Sequence, residues 1–315
     1  MSLSIVNSVY GLYRTEILRA DGTVRWDSGF KPNLITDWGL NQLGYSTGDF
    51  VHSCFVGTGT TAPVPTDNKL QAQVMSANNS SQKTSTFGKQ IATAPYYSWV
   101  QSVWTFDAAT ANVTLGEMGT GSSGTSLVTR SLMKDADGNP TTITLLIGEV
   151  LRVTHVLRNY FDMGDNAGSF EIDGVTYNYS ARGVNFRSTG EWQIRGGWAY
   201  PDIVSCCTIP ADAVWENVGT LDQKTSKSYT DRKIISPSQT PRPPNPSPGI
   251  TRWVVQFGVN DANYPLGIRY FEMQHTQNNY RDGVSYGILL DKAIPKTNKH
   301  QLTLTLDMIY KRHTP

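Results

Sequence analysis

The stretch Glu149-Val-Leu-Arg-Val-Thr-His-Val-Leu-Arg-Asn-Tyr160 gives the clearest structural signal in this 315-residue sequence. Every second residue of its central part shares one face, and these residues are Leu151, Val153, His155 and Leu157. Arg152, Thr154 and Arg158 lie on the other face, which Val156 joins. A period of two predicts a half-buried β-strand. We expect His155 to be a hydrogen-bonded core residue rather than a metal ligand.

Turn-forming residues flank further strand candidates upstream of this stretch. Residues 126–133 and 141–147 are predicted to form a hairpin around a turn rich in Asp, Gly and Asn. Near the start, residues 9–19 and 23–30 form a second predicted hairpin around Asp21-Gly22. Both hairpins indicate antiparallel sheet.

One short helix is predicted between the two hairpins. Thr36 or Asp37 can cap its first turn, and Gly44 can end it. Leu40 and Leu43 would then face inward together. The polar run at 57–67, with its Gly, Thr and Pro residues, is predicted to be a loop.

The rest of the chain has the same β-rich character. A hairpin is predicted around Asp173-Gly174, and other strands are predicted at 51–56, 96–106, 192–198, 203–209, 253–259, 285–290 and 301–310. The predicted fold class is all-β, with two β-sandwich-like modules, long loops and only short helices. We place the modules at residues 1–161 and 162–315.

An internal duplication is the second large-scale prediction. The segment 103–116 resembles 254–267, with six identities at one offset: Val103/Val254, Phe106/Phe257, Ala111/Ala262, Asn112/Asn263, Leu115/Leu266 and Gly116/Gly267. Leu151 and Leu302 share this offset, as do Thr154 and Thr305. Repeated segments of this kind predict two modules of similar topology, each with a long alternating strand at its end. Chance similarity among β-rich sequences is the alternative.

Charge and cysteine content narrow the functional classes. Lys plus Arg number 27 and Asp plus Glu 26, a net charge of +1 that gives no general attraction to nucleic acid or to an anionic membrane. The odd number of cysteines, Cys54, Cys206 and Cys207, is a poor disulfide framework and suits free thiols in a reducing cytoplasm. No signal peptide or membrane-spanning run is evident, so we expect neither secretion nor membrane insertion.

Several short strings of the N-terminal half carry a resemblance to a known class of protein. They are Asn-Leu-Ile-Thr-x-x-Gly-Leu at 33–40, Val-Gly-Thr-Gly-Thr-Thr-Ala-Pro at 56–63, Leu-Gly-Glu-Met-Gly at 115–119, Leu-Val-Thr-Arg-Ser-Leu-Met at 127–133, Asp-Gly-Asn-Pro-Thr-Thr-Ile-Thr at 137–144 and the alternating strand at 149–158. Together they resemble a module of tail-fibre and other virion proteins of tailed bacteriophages, over roughly residues 5–161.

The resemblance implies a structural role in a virion that is assembled in the cytoplasm of a bacterial host. Tail, baseplate, collar, fibre and head decoration all remain open as positions. The implied partners are other copies of the chain, in a trimer or ring, and other virion proteins. A host receptor or surface glycan is the alternative partner, and a glycan depolymerase is the enzymatic alternative.

Candidate chemical motifs each have a simpler structural explanation. Residues 119–124 match G-x-G-x-x-G, but a strand and not a helix is predicted to follow, which favours a hairpin loop. Residues 135–139 resemble the start of a calcium loop without its terminal Glu, which favours a β-turn. Cys206-Cys207 lies in an apolar strand, where packing is favoured over catalysis. We therefore expect no catalytic residues, no cofactor and no metal.

Two segments are candidate interfaces. The proline-rich arm, residues 236–248, cannot form a helix or an inner strand, and an extended arm of this length reaches about 40 Å. We expect it to lock a neighbouring subunit, with a solvated loop as the alternative, through Pro237, Pro241, Arg242, Pro243, Pro244, Pro246 and Pro248. The aromatic residues Trp192, Trp198 and Trp215 would serve an interface, stack on sugars, or simply fill the core.

Overall fold

The computed structural model describes residues 2–43, 50–78, 81–90, 93–161, 166–187, 201–207, 233–235, 248–275 and 283–314. Within these ranges the chain forms one helix, α1 (Asp37–Leu43), and twenty strands. The first eleven strands are β1 (Ser2–Leu18), β2 (Val24–Asp27), β3 (Lys31–Ile35), β4 (Ser53–Gly57), β5 (Gln73–Ala77), β6 (Lys83–Gln90), β7 (Tyr97–Thr105), β8 (Val113–Leu115), β9 (Glu117–Ser123), β10 (Ser126–Leu132) and β11 (Ile143–Leu145).

The remaining strands continue the same pattern. They are β12 (Val150–Phe161), β13 (Asn166–Ile172), β14 (Val175–Arg187), β15 (Pro201–Cys207), β16 (Lys233–Ile235), β17 (Ile250–Phe257), β18 (Ile268–His275), β19 (Gly283–Ile294) and β20 (Leu302–Arg312). The predicted all-β fold class is therefore confirmed.

The predicted helix is also confirmed: Gly39 N donates to the Thr36 hydroxyl at 3.0 Å, so Thr36 is the cap. Leu40 and Leu43 are both buried.

The strand β1 lies at the centre of the larger sheet. Residues 7–18 pair antiparallel with β12 along one edge. Along the other edge β1 pairs in succession with β20, β3 and β2, and the pairing with β20 is parallel. One strand of 17 residues thus supports four neighbours.

The larger sheet curls until its two ends come close together. Its strand order is β5-β4-β9-β10-β3-β1-β12-β7-β6, with β20 and β17 branching from β1. Only residues 78–82 separate the end strands β5 and β6 along the chain. Across the gap, Trp104 Nε1 donates to His52 O at 3.1 Å and Lys83 Nζ donates to Val51 O at 2.6 Å. The enclosed side holds the core, which includes Tyr13, Trp104 and Leu151.

The second sheet packs beside the first, with the order β13-β14-β19-β18-β15-β16. The Tyr286 hydroxyl donates to Asn7 Oδ1 at 2.7 Å, and Ser4 N donates to the Tyr179 hydroxyl at 3.2 Å. One core cluster contains residues of both sheets, such as Leu3 and Ile288. Strands from both sides of the expected module boundary at 161 therefore share a sheet and a core, and the division into two modules stays a prediction.

One strand pairing recurs at the offset of the predicted duplication. Thr154 lies opposite Val103, and the residues at the common offset, Thr305 and Val254, lie opposite each other as well. At the common offset β3, β4 and β9 fall on β14, β15 and β18, whereas residues 73–77 of β5 fall on 224–228, outside the described residues. The register of β9 with β10 does not recur, since Gly119 lies opposite Arg130 whereas Tyr270 lies opposite Leu289, so the duplication stays a prediction. We call the two copies the first and second repeat.

One predicted hairpin is wrong. Residues 126–133 and 141–147 were expected to pair, but β10 pairs with β9 and β3, while β11 pairs with β8. The two segments are joined next to the turn, by a bridge between Lys134 and Pro140 and by the hydrogen bond that Thr141 N donates to Met133 O at 2.9 Å. The turn itself is confirmed: Asp135 Oδ1 accepts hydrogen bonds from Asp137 N and Asn139 N, as a side chain that caps its own turn does.

The core position of His155 is confirmed, although its Nε2 has no hydrogen-bond partner among the described residues. Burial, with a smaller contribution from the charge of Lys83, lowers the pKa of His155 to about 3. The folded protein therefore keeps the ring neutral where an unfolded chain, with a pKa near 6.5, binds a proton.

This difference predicts a loss of stability in mild acid. On moving from pH 8 to pH 5, His155 lowers the free energy of unfolding by on the order of 2 kcal/mol. The variant His155→Gln should lack this part of the pH dependence, while His52→Gln, at an exposed position, should keep it. Urea unfolding of the three proteins at both pH values measures the difference. If the free energy of unfolding falls by the same amount between pH 8 and pH 5 in wild type and in His155→Gln, His155 is not the source of the pH dependence.

Candidate functional site

The loop at residues 57–72 is exposed at its tip and held rigidly at its base. It leaves β4 at Gly57 and enters β5 at Gln73. The tip residues Thr60, Thr61, Ala62, Val64 and Pro65 are exposed or half-exposed, and Val64 has 49% of its surface accessible. We call this segment the braced loop.

A buried ion pair lies beneath the braced loop. Glu117 begins β9, and Arg130 lies on the neighbouring strand β10. Arg130 Nε and Nη2 donate to Glu117 Oε2 at 3.1 and 2.8 Å, and Nη1 donates to Asp67 Oδ2 at 2.6 Å. Only 4% of the Arg130 side chain and none of the Glu117 side chain is accessible. Such a pair holds its surroundings in one arrangement, since either charge alone would be costly to bury.

The same two side chains bind the loop backbone directly. Glu117 accepts hydrogen bonds from Gln71 N at 3.0 Å and Ala72 N at 2.7 Å. Arg130 Nη2 donates to Thr61 O at 3.0 Å. The carboxylate and the guanidinium thus replace the strand partners that a loop backbone lacks.

Side chains within the loop complete the bracing. Gln71 Oε1 accepts from Thr60 N and Thr61 N at 3.0 and 3.1 Å, and Asp67 Oδ2 accepts from Val64 N at 2.7 Å. A Cβ atom at Gly59 would collide with the Glu117 carboxylate. The glycine is therefore required for the close approach of the loop to the ion pair.

The pKa of Arg130 reflects this environment. Burial acts to lower its pKa, but hydrogen bonds and charge interactions with Asp67 and Glu117 outweigh burial and raise it. The guanidinium consequently stays charged at neutral pH.

The sequence identified the strings that contain Glu117 and Arg130 but did not predict that these two residues form an ion pair. Glu117 lies in the string 115–119 and Arg130 in 127–133, while the loop begins in 56–63. The available signal was one charge of each sign on two segments that flank a single turn and carry no other charged residue. Three of the strings singled out in the sequence therefore meet in a single structural feature.

An aromatic patch covers part of the outward face of the larger sheet. Tyr160 and His313 stack with centroids 4.1 Å apart, and Tyr10 meets His313 edge-on at 6.0 Å. Tyr97 lies 5.2 Å from Tyr160, with the Arg158 guanidinium 4.9 Å from its ring centroid. Burial raises the pKa of Tyr10, and the charge interaction with Tyr160 raises it further. The positive charge of Arg158 acts in the opposite direction. All these side chains are half-exposed.

Trp99 extends the aromatic patch toward β6. It lies opposite Gly88 in the pairing of β6 with β7, and a Cβ atom at Gly88 would collide with the indole ring. The ring therefore lies flat over the glycine, as aromatic residues do opposite glycines in sheets. A flat, half-exposed indole suits stacking on a sugar or on a partner side chain.

The predicted interface residues fall mostly outside the described residues. This holds for Trp192, Trp198 and Trp215, and for Pro237, Pro241, Arg242, Pro243, Pro244 and Pro246. Pro248 is described and is exposed in a turn just before β17. The expected roles of the proline-rich arm and of these tryptophans stay predictions.

The other candidate motifs occupy structural positions. The G-x-G-x-x-G string at 119–124 forms the end of β9 and the turn into β10, as predicted for a hairpin loop. Cys54 is a free, buried thiol whose pKa is raised by burial, and Cys206 and Cys207 end β15. Among the residues that the structure describes, no three His, Cys, Asp or Glu side chains are grouped to hold a metal ion.

No protein-family model, curated protein or solved structure matches the chain. Within the described ranges, no helix has the length and apolar character needed to cross a membrane.

The buried ion pair predicts a large effect from one substitution. Glu117→Ala should lower the free energy of unfolding by about 3–5 kcal/mol, because it leaves Arg130 buried without its partner. It should also open the braced loop to limited proteolysis. Asp307→Ala is the matched control: it removes the Arg252–Asp307 pair, in which Arg252 is 36% accessible, and should cost about 1 kcal/mol or less.

Urea unfolding and proteolytic mapping measure both variants. If Glu117→Ala and Asp307→Ala lose the same stability, the ion pair does not brace the loop. The same follows if Glu117→Ala is cleaved only outside residues 57–72.

Proposed function

We propose that this protein is a non-enzymatic structural component of a tailed-phage virion, in its tail, baseplate, collar or fibre apparatus. It acts through contacts with other copies of itself and with other virion proteins. The resemblance of residues 5–161 to phage virion modules is one support. The other is the all-β framework, whose charged residues at the resembling positions have structural partners, as Glu149 has in Arg25 at 2.5 Å and Arg152 has in Glu16 at 2.8 Å.

The braced loop is the observation that carries this proposal. Its tip is exposed, yet its backbone is held by the buried Glu117–Arg130 pair. A loop that is ordered before it meets a partner loses little conformational entropy on binding. Exposed loops on a rigid scaffold are also where recognition commonly occurs. The string that forms the loop is one of those that carry the resemblance.

A substitution at the tip tests this role. Val64→Asp should reduce incorporation into particles by at least about tenfold, because burying an unpaired charge in a contact costs more than ~1.4 kcal/mol. Val24→Asp, at a valine of nearly equal exposure on β2, should have little effect. Quantitative immunoblotting of purified particles measures incorporation, and microscopy with labelled antibody locates the protein. Absence of the wild-type protein from particles would refute the proposal.

Binding of a host receptor or glycan is the second candidate function, and the aromatic patch favours it. Trp99 lies flat over Gly88 beside Tyr97 and Tyr160, an arrangement that can stack on sugar rings. Trp99→Ala should then abolish retention of the protein on host surface polysaccharide, while Trp26→Ala should not. A depolymerase would in addition release reducing sugar from that polysaccharide, and we expect none.

A further inference from the structure

The outward face of β1 and β12 carries three arginines, and two of them pair with carboxylates. Arg14 Nη2 lies 2.6 Å from Asp27 Oδ2, and Arg152 Nη2 lies 2.8 Å from Glu16 Oε1. Such pairs satisfy the donors of a guanidinium within the chain itself. The third arginine, Arg158, shares this face because it lies an even number of residues from Arg152 on the same strand.

Arg158 contacts aromatic side chains and not a carboxylate. Its Cζ atom lies 4.9 Å from the centroid of the Tyr97 ring, and its Nη1 donates to the Tyr160 hydroxyl at 3.4 Å. Within the described ranges of the chain, no carboxylate forms an ion pair with it. The guanidinium is half-exposed and positively charged, so its remaining N–H donors are open to a ligand from solvent.

Trp99 offers a flat ring beside this cation. Trp99 and Arg158 lie directly opposite each other in the pairing of β7 with β12, where Cβ atoms are about 4.5–5.5 Å apart. On its other side Trp99 lies opposite Gly88, and the indole ring covers this glycine. The half-exposed ring can pack against the C–H face of a sugar. A stacking surface and a positive charge are thus neighbours on one sheet face.

Neutral hydrogen-bonding side chains border Trp99 on the same face. Thr86 and Gln90 lie on either side of Gly88 on β6, and Gln101 lies two residues from Trp99 on β7. Thr86 is exposed, and Gln90 and Gln101 are half-exposed. Hydroxyl and amide groups both donate and accept hydrogen bonds, as sugar hydroxyls do, whereas the centre of a protein–protein interface is typically more apolar. The border of the ring therefore favours a sugar over a protein surface.

We propose that the aromatic patch binds an acidic polysaccharide built of uronic acids, with sugar rings stacked on Trp99 and carboxylate groups paired with Arg158. A planar guanidinium can bind a carboxylate through two parallel N–H···O bonds. The patch contains no Asp or Glu of its own, so the ligand has to supply the negative charge. The inference rests on glycan binding, the second candidate function, and adds the chemical class of the glycan.

Two polymers that differ in one functional group test this specificity. Oligomers of polygalacturonate carry a carboxylate on every sugar, and the same oligomers after reduction of the carboxyl groups keep the rings without the charge. In calorimetric titrations of the purified protein, polygalacturonate should bind at least about tenfold more tightly, because a hydrogen bond to a charged group contributes enough for a factor of this size. The preference should decrease as the salt concentration rises.

Substitutions separate the charge from the stacking surface. Arg158→Gln should weaken binding of polygalacturonate by at least about tenfold and leave binding of the reduced oligomers unchanged. Arg158→Lys, which keeps the charge without the planar fork, should lose less. Arg14→Gln is the matched control, because Arg14 already pairs with Asp27 on the same face, and should bind as wild type does. Trp99→Ala should lose both polymers, and circular dichroism checks that all four variants are folded.

The outcomes distinguish this inference from the function on which it rests. Equal affinity for the two polymers, lost in Trp99→Ala, would overturn the acidic specificity and leave glycan binding in place. Binding of polyglutamate as tight as that of polygalacturonate would also overturn the inference, and would indicate a protein partner with acidic side chains. Absence of binding to both polysaccharides would overturn the inference together with glycan binding, while the location of the protein in particles tests the structural role separately.

Discussion

The backbone pairing of β1 is the constraint on which the rest of the structure depends. One edge of this strand pairs with β12, and the other pairs with β20, β3 and β2 in turn. The last strand of the chain thereby joins the first, and both repeats share one core. Since a buried strand needs a partner on each edge for its N–H and C=O groups, loss of β20 would expose the first half of β1. The parallel pairing of β1 with β20 is thus what makes the two repeats a single unit.

Buried charge has a different task from backbone pairing in this protein. The strands form the framework, whereas Glu117 and Arg130 use the framework to hold a loop that has no strand partner of its own. The pair contributes little net stability compared with apolar residues of equal size, because both charges lose their hydration. It contributes specificity, since only one loop arrangement satisfies both side chains. A presented loop of fixed shape is useful in an assembly, where many identical contacts must form in the same way.

The two predicted copies differ in sequence at the positions of β6. The first repeat keeps β6 as a cover for β7, and the second has a proline-rich arm at the equivalent positions. Proline lacks the N–H group that a strand partner requires, so the prolines of residues 236–248 set this part of the second predicted copy apart from β6 in backbone chemistry.

The sequence by itself determined the all-β class, the capped helix at Asp37 and most strand positions, because alternation, capping residues and turn residues act over a few neighbouring positions. It did not determine which strands pair: β11 joins β8 and not β10, since a turn fixes a reversal but not the partner beyond it. It also could not reveal that Glu117 meets Arg130 beneath residues 57–72, because Asp67 and the loop lie far along the chain from both. Only the tertiary structure decides such contacts. Each buried charge depends on a partner, and that partner can lie far from it along the chain.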